Sequence, residues 1–198
     1  MKKFKVLSLP IALSIGALIL AFNISSIKNV FIRKPAVTEV HTSYAVEVKN
    51  PKWAITISDL IIEGNVIKKG VPTNGVSPVN NTDVVYTDYD IQVTKLVKNK
   101  SGKDIKIGDT ITVRTLGGAT NTHIYNTDTL NMLTKGNKTL LCLVDGVKEP
   151  TLPKETNEQI YSIVGGMHGA FDLNSNGNAT RVKTNESFKT DNIENLAN

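Results

Sequence analysis

A two-residue alternation of apolar and polar side chains recurs along the chain after residue 52, in short runs that end at Gly and Asn residues. Such alternation is typical of strands with one buried face. No helical stripe longer than about two turns follows residue 35. The pattern therefore predicts an all-β domain, either a barrel or a sandwich.

The clearest run begins at Tyr89, where Tyr89, Ile91 and Val93 alternate with polar residues. The alternation then slips, because Leu96 and Val97 are both apolar, and this slip predicts a β-bulge. The segment 70–82 is rich in Gly, Pro and Asn and is predicted to be a loop. Further strands are predicted at 59–67, 110–116, 138–144, 159–164, 170–173 and 179–183, the last two joined by a hairpin turn across 174–178.

The regions on either side of this pattern differ from it in composition. Residues 35–52 hold few apolar residues in register and are interpreted as a stalk that leads into a domain at 53–183. Residues 184–198 are polar and are interpreted as a C-terminal tail that frays.

Residues 1–34 have the form of an export signal. Lys2, Lys3 and Lys5 precede an apolar run at 6–22 that carries no charge. The run reaches the lower limit for a helix that crosses a bilayer, about 17 residues. The passable cleavage site, after Ser26, is weak, so we expect an uncleaved signal-anchor helix in the cell membrane with the domain outside the cytoplasm. Secretion after cleavage is the alternative.

The positive charge of the chain belongs to this N-terminal segment. Six of the 23 Lys and Arg residues lie in 1–34, which leaves 17 against 18 Asp and Glu residues in the remainder. Phosphate contacts require a basic surface, and a neutral domain provides no general attraction to polyanions. The sequence therefore predicts no nucleic-acid partner.

Several core and turn segments match one known architecture, namely 58–66, 89–98, 108–118, 130–133, 136–144 and 161–171. Together they cover about residues 53–183, and their pattern resembles exported domains of Gram-positive bacteria built on an OB-like, TIMP/netrin-type barrel. The resemblance implies a closed or partly open OB-like barrel. Metalloproteinase inhibitors of that fold act through an N-terminal cysteine in a disulfide-stapled domain, and this chain has only Cys142. The resemblance therefore assigns no inhibitory residue here.

Candidate site residues are few. Cys142 lies in the apolar run 139–144 and is predicted to be a small buried strand residue. The three histidines lack metal-ligand spacing, so no metal and no cofactor are predicted. The strongest polar candidates for binding are His168, which follows Gly165 and Gly166, together with Asp172, His123 and Tyr125. The alternative is that the glycines permit a tight turn and leave the histidine merely exposed.

These observations favour a membrane-tethered module that binds a protein, a peptide or a cell-wall component and performs no chemistry. One alternative is an exported hydrolase whose site is assembled from His168, Asp172 and His123, although no Gly-x-Ser-x-Gly element is present. Another alternative is a protease-inhibitor-like module that docks a wedge or an edge strand in a protease cleft.

Overall fold

The fold is that of a computed structural model, which describes residues 34–40, 51–149, 151–153, 159–182, 187–190 and 193. The apolar segment 6–22 lies outside these residues. Within the described ranges, no helix is long and apolar enough to cross a bilayer. These ranges form a mostly β structure, as the sequence predicts, with one α-helix. The elements are β1 Ala36–Val40, α1 Pro51–Ile57, β2 Leu60–Lys69, β3 Thr73–Val76, β4 Asp83–Asn99, β5 Thr110–Leu116, β6 Gly118–Ala119, β7 His123–Thr127, β8 Lys138–Asp145, β9 Ile160–Ile163, β10 Ala170–Leu173, β11 Asn178–Arg181 and β12 Ser187–Lys189.

The described strands form one large sheet and one small sheet. In the large sheet the order is β12-β11-β10-β8-β2-β4-β5-β9, with β3 paired to β4. Strand β9 runs parallel to β5 and also pairs antiparallel with β8. The small sheet has the order β1-β7-β6, in which β1 runs parallel to β7.

The long strand β4 is bent by irregularities in its pairing with β2. Ile61 pairs with Lys98 and Ile62 pairs with Leu96, so Val97 is the extra residue of a bulge. This confirms the bulge predicted at Leu96 and Val97. A second shift follows between Glu63 and Gly64. Bulges increase local twist and let a strand curve around a core.

The central strands are buried on both faces, which explains the continuous apolar run in β8. Leu141 and Leu143 contribute to one apolar cluster with Leu60 and Ile62 of β2. The alternate residues, including Cys142, face a second cluster that Ala54 and Ile55 of α1 help to cover. Cys142 is fully buried, as predicted, and burial raises the pKa of its thiol to about 12.

The structure differs from the sequence interpretation at three connecting segments. Part of the expected stalk, Ala36–Val40, is strand β1, and α1 begins at Pro51. The expected loop at 70–82 contains β3. In the expected tail, Ser187–Lys189 pairs with β11. In each case main-chain pairing stabilises a short strand whose side chains are largely exposed, so no alternation marks it.

Candidate functional site

A cavity of about 240 Å³ lies where β5, β7 and β9 end close together. Its lining is mostly apolar, with several hydroxyl groups and one arginine. The lining residues are Val40, Arg114, Thr115, Leu116, Thr127, Thr129, Met132, Glu149, Thr151, Leu152, Ser162, Ile163, Gly165 and Gly166.

The threonine hydroxyls on one wall of the cavity are bound to the main chain. Thr127 and Thr129 both donate to the carbonyl of Leu116, at 2.9 and 2.8 Å. Gly117 follows at a φ of 112°, and a Cβ there would lie 2.8 Å from the Thr127 hydroxyl. Glycine therefore permits the close approach that brings these hydroxyls to β5.

Arg114 provides the positive charge of the cavity wall and is itself neutralised. Its side chain is 3% exposed, and its Nε and Nη2 donate to the two carboxylate oxygens of Asp88 at 2.7 and 2.8 Å. Nη1 donates to the carbonyl of Pro153 at 2.6 Å. The guanidinium also lies 4.0 Å above the centre of the Tyr86 ring. Arg114 and Asp88 are direct cross-strand partners on β5 and β4, which sets this geometry.

The rim of the cavity is formed by the segment after β8. Thr151 is exposed, and its hydroxyl donates to Glu149 at 2.6 Å. Leu152, the next residue, also lines the cavity and is buried. The rim therefore presents a small polar side chain over an apolar interior.

A glycine turn in the lining of the cavity packs against the single tryptophan. Gly165 and Gly166 both have a φ of 58°. A Cβ on Gly165 would lie 2.9 Å from Cζ3 of Trp53, in α1. Because Gly165 also lines the cavity, Trp53 is placed where its fluorescence reports on this wall.

A second, more polar cavity of about 340 Å³ lies at the other end of β5, beside Asp104, Asp109 and Tyr161. Its carboxylates already have partners. Asp109 accepts a hydrogen bond from the main-chain N–H of Lys106, and Asp104 pairs with the Lys106 ammonium. Within the described residues no three His, Cys, Asp or Glu side chains are placed to hold a metal ion.

The four residues singled out from the sequence lie on three elements, and none of them lines the first cavity. His168 is in the short 3-10 helix Gly166–Gly169, next to the Gly165–Gly166 turn. Asp172 is exposed on β10, where partial burial of its carboxylate raises its pKa and a hydrogen bond with Asn137 opposes the rise. His123 and Tyr125 are both on β7, in the small sheet. Tyr125 packs with Val84 and Val85, and burial raises the pKa of its hydroxyl.

Sequence reasoning missed the cavity because its residues come from distant segments and share no local pattern. The nearest signal in the sequence is the pair Gly165 and Gly166, which by itself indicates only a tight turn. The arrangement is suited to recognition by shape and burial, since most of its polar groups are engaged with the protein. Neither the protein-family models nor the curated proteins to which the sequence was compared give a match.

Proposed function

We propose that the chain is a membrane-tethered, extracytoplasmic module that binds a protein, peptide or cell-wall ligand at the first cavity and performs no chemistry on it. One observation carries the proposal. The threonines, Arg114 and Glu149 that line the cavity already hydrogen-bond to the protein, while the rest of the lining is largely apolar. Such a site gains affinity by burying an apolar group of the ligand.

The architecture we propose for the module is an OB-like barrel. Support comes from the pairings, since β2 pairs with β4, β4 with β5, β5 with β9, β9 with β8, and β8 with β2. A ring of pairings of this kind removes the open edges of a sheet. The bulges in β4 provide the curvature that such a ring requires.

The tether we propose is the apolar segment 6–22, preceded by Lys2, Lys3 and Lys5. Positive charge on a short N-terminal tail favours its retention in the cytoplasm, which would put the domain outside. Protease added to intact cells should then digest the domain, and alkaline carbonate should fail to extract the full chain. Full release of the chain into the medium would contradict the tether.

The binding proposal is tested by photo-cross-linking in intact cells that produce the full chain. A benzoyl-phenylalanine at Thr151, on the rim of the cavity, should give an adduct of higher mass after irradiation. The matched control carries the same group at Thr82, which is an exposed threonine in the loop before β4 and does not line the cavity. Mass spectrometry of the adduct separates a polypeptide from a wall fragment. Absence of an adduct at Thr151, or equal adducts at both positions, would refute binding at the cavity.

A further inference from the structure

Strand β1 is attached to the fold by few side-chain contacts. Four of its five residues are exposed, and Val37 is 60% exposed. The strand is positioned by parallel pairing with β7, from Ala36 opposite His123 to Val40 opposite Thr127. Main-chain pairing rather than side-chain burial therefore determines where β1 lies.

Val40 is the exception, because it reaches the first cavity. It lines that cavity and packs against the cluster formed by Val84, Val85 and Tyr125. The last residue of β1 thus places an apolar side chain in the proposed binding site while the rest of the strand lies on the surface.

The edge of β7 beneath β1 is suited to an extended polypeptide in general. Its other edge pairs with β6 only at Tyr125 and Ile124. Main-chain N–H and C=O groups are the same in every polypeptide, so the edge cannot distinguish β1 from a foreign strand of the same direction. The neighbouring side chains His123 and Asn126 are half-buried and carry no carboxylate or ammonium group. Discrimination between strands at this edge would therefore depend on the side chain at the position of Val40.

We propose that the β7 edge is a docking site for an extended strand of a partner protein, which displaces β1, pairs parallel to β7 and inserts a β-branched apolar side chain in place of Val40. This inference rests on the proposed binding function and names its ligand class. Strand addition to a sheet edge gives affinity through main-chain hydrogen bonds and specificity through the pocket for one side chain. In the free protein β1 is the built-in occupant of that edge, so a partner strand has to compete with it.

A disulfide lock tests the displacement. Glu39 pairs with Asn126, and paired residues on neighbouring strands lie within the range that a disulfide spans. Oxidation of a Glu39→Cys, Asn126→Cys variant of the full chain in detergent should fix β1 on β7, while reduction should release it. Cys142 does not compete, because it is fully buried. Val37→Cys with Ile124→Cys is a second lock if the first variant fails to fold.

The probe is a fluorescein-labelled peptide with the sequence of residues 34–40, whose binding is measured by anisotropy. The reduced variant should bind it, and the oxidised variant should bind at least about tenfold more weakly, because β1 can no longer leave the edge. A peptide with Val40→Asp should bind no better than a scrambled peptide. The single variant Glu39→Cys, treated with the same oxidant, should bind like the reduced protein.

Equal binding by the oxidised and reduced variants, or no binding by either, would overturn displacement of β1. A mixture of Glu39→Cys and Asn126→Cys chains that gives covalent dimers without peptide would also overturn the proposal, since the occupant would then be a second copy. If the adduct at Thr151 still forms while the peptide does not bind, the proposed binding function is supported and only the displacement of β1 by a partner strand is refuted. If both fail, the binding function falls as well.

Discussion

Removing either partner of the Arg114–Asp88 ion pair should destabilise the protein, by an amount that depends on which partner is removed. The Arg114 side chain is 3% exposed in the native protein, and Asp88→Ala removes both of its carboxylate contacts. Removing one partner of a buried pair costs about 3 to 5 kcal/mol. Because the Asp88 side chain is 30% exposed and Pro153 still accepts one N–H, we expect the lower end, about 3 kcal/mol.

Removing the arginine should destabilise the protein less. In Arg114→Met the Asp88 carboxylate can be hydrated, and the losses include one hydrogen bond to Pro153 and the contact with the Tyr86 ring. These losses amount to about 1 to 2 kcal/mol. The double variant should then lie close to Arg114→Met, so that the second substitution restores part of the stability lost in Asp88→Ala.

The assay is urea denaturation of the full chain in a mild detergent, monitored by the fluorescence emission of Trp53. Variants are compared only where the m-value is unchanged. Asp90→Ala is the matched control, because Asp90 is on the same strand and pairs at 3.4 Å with the largely exposed Lys68. Its effect should stay below about 1 kcal/mol. A larger loss in Arg114→Met than in Asp88→Ala would refute the view that Asp88 serves chiefly to neutralise a buried guanidinium.

Three further predictions concern other parts of the molecule. Gly165→Ala should lower the free energy of unfolding by about 1 to 2 kcal/mol and shift the emission of Trp53. Gly102 is also at positive φ but has open space where a Cβ would lie, so Gly102→Ala should lower the free energy of unfolding by less in the same denaturation assay. The Cys142 thiol should react with Ellman's reagent no faster than the protein unfolds, because it is fully buried and its pKa is raised to about 12; labelling within seconds of mixing under native conditions would contradict this. Partial burial raises the pKa of the Asp172 carboxyl in the folded protein. Above that pKa the carboxylate is charged and its burial destabilises the fold, whereas below the pKa of the unfolded chain, near 4, the carboxyl is neutral in both states and has no effect. Asp172→Asn should therefore raise the urea midpoint slightly at pH 7 and leave it unchanged at about pH 3; a lower midpoint at pH 7 would show that the carboxylate stabilises the fold.

The sequence predicts those strands in which apolar side chains mark the buried positions, either on one face or on both faces of the strand. Alternation in β4 and β5 and the continuous apolar run in β8 follow from packing against one or two clusters. The bulge at Val97 was predictable because it reverses the alternation within a strand. Strands β1 and β3 escaped prediction since they are attached through main-chain pairing and leave most side chains in water.

The candidate site was less predictable than the fold. Arg114 sits in an ordinary strand pattern, and nothing local in the sequence indicates that Asp88 and Pro153 would surround its guanidinium. The glycine turn at Gly165 was visible, but its contact with Trp53 joins two distant segments. A binding site made by tertiary contacts between such segments gives no periodic signal in the sequence.

The pairing of β2 with both β4 and β8 also governs the order in which the chain can fold. The β2–β4 pairs form between strands that only β3 separates along the chain, whereas Leu60 can pair with Leu143 only after most of the chain has been synthesised. Contacts between residues so distant in sequence form slowly, because the intervening chain has to be ordered first. Until β8 has been synthesised, the edge of β2 that pairs with β8 therefore stays open, and an unpaired strand edge of this kind is prone to aggregate.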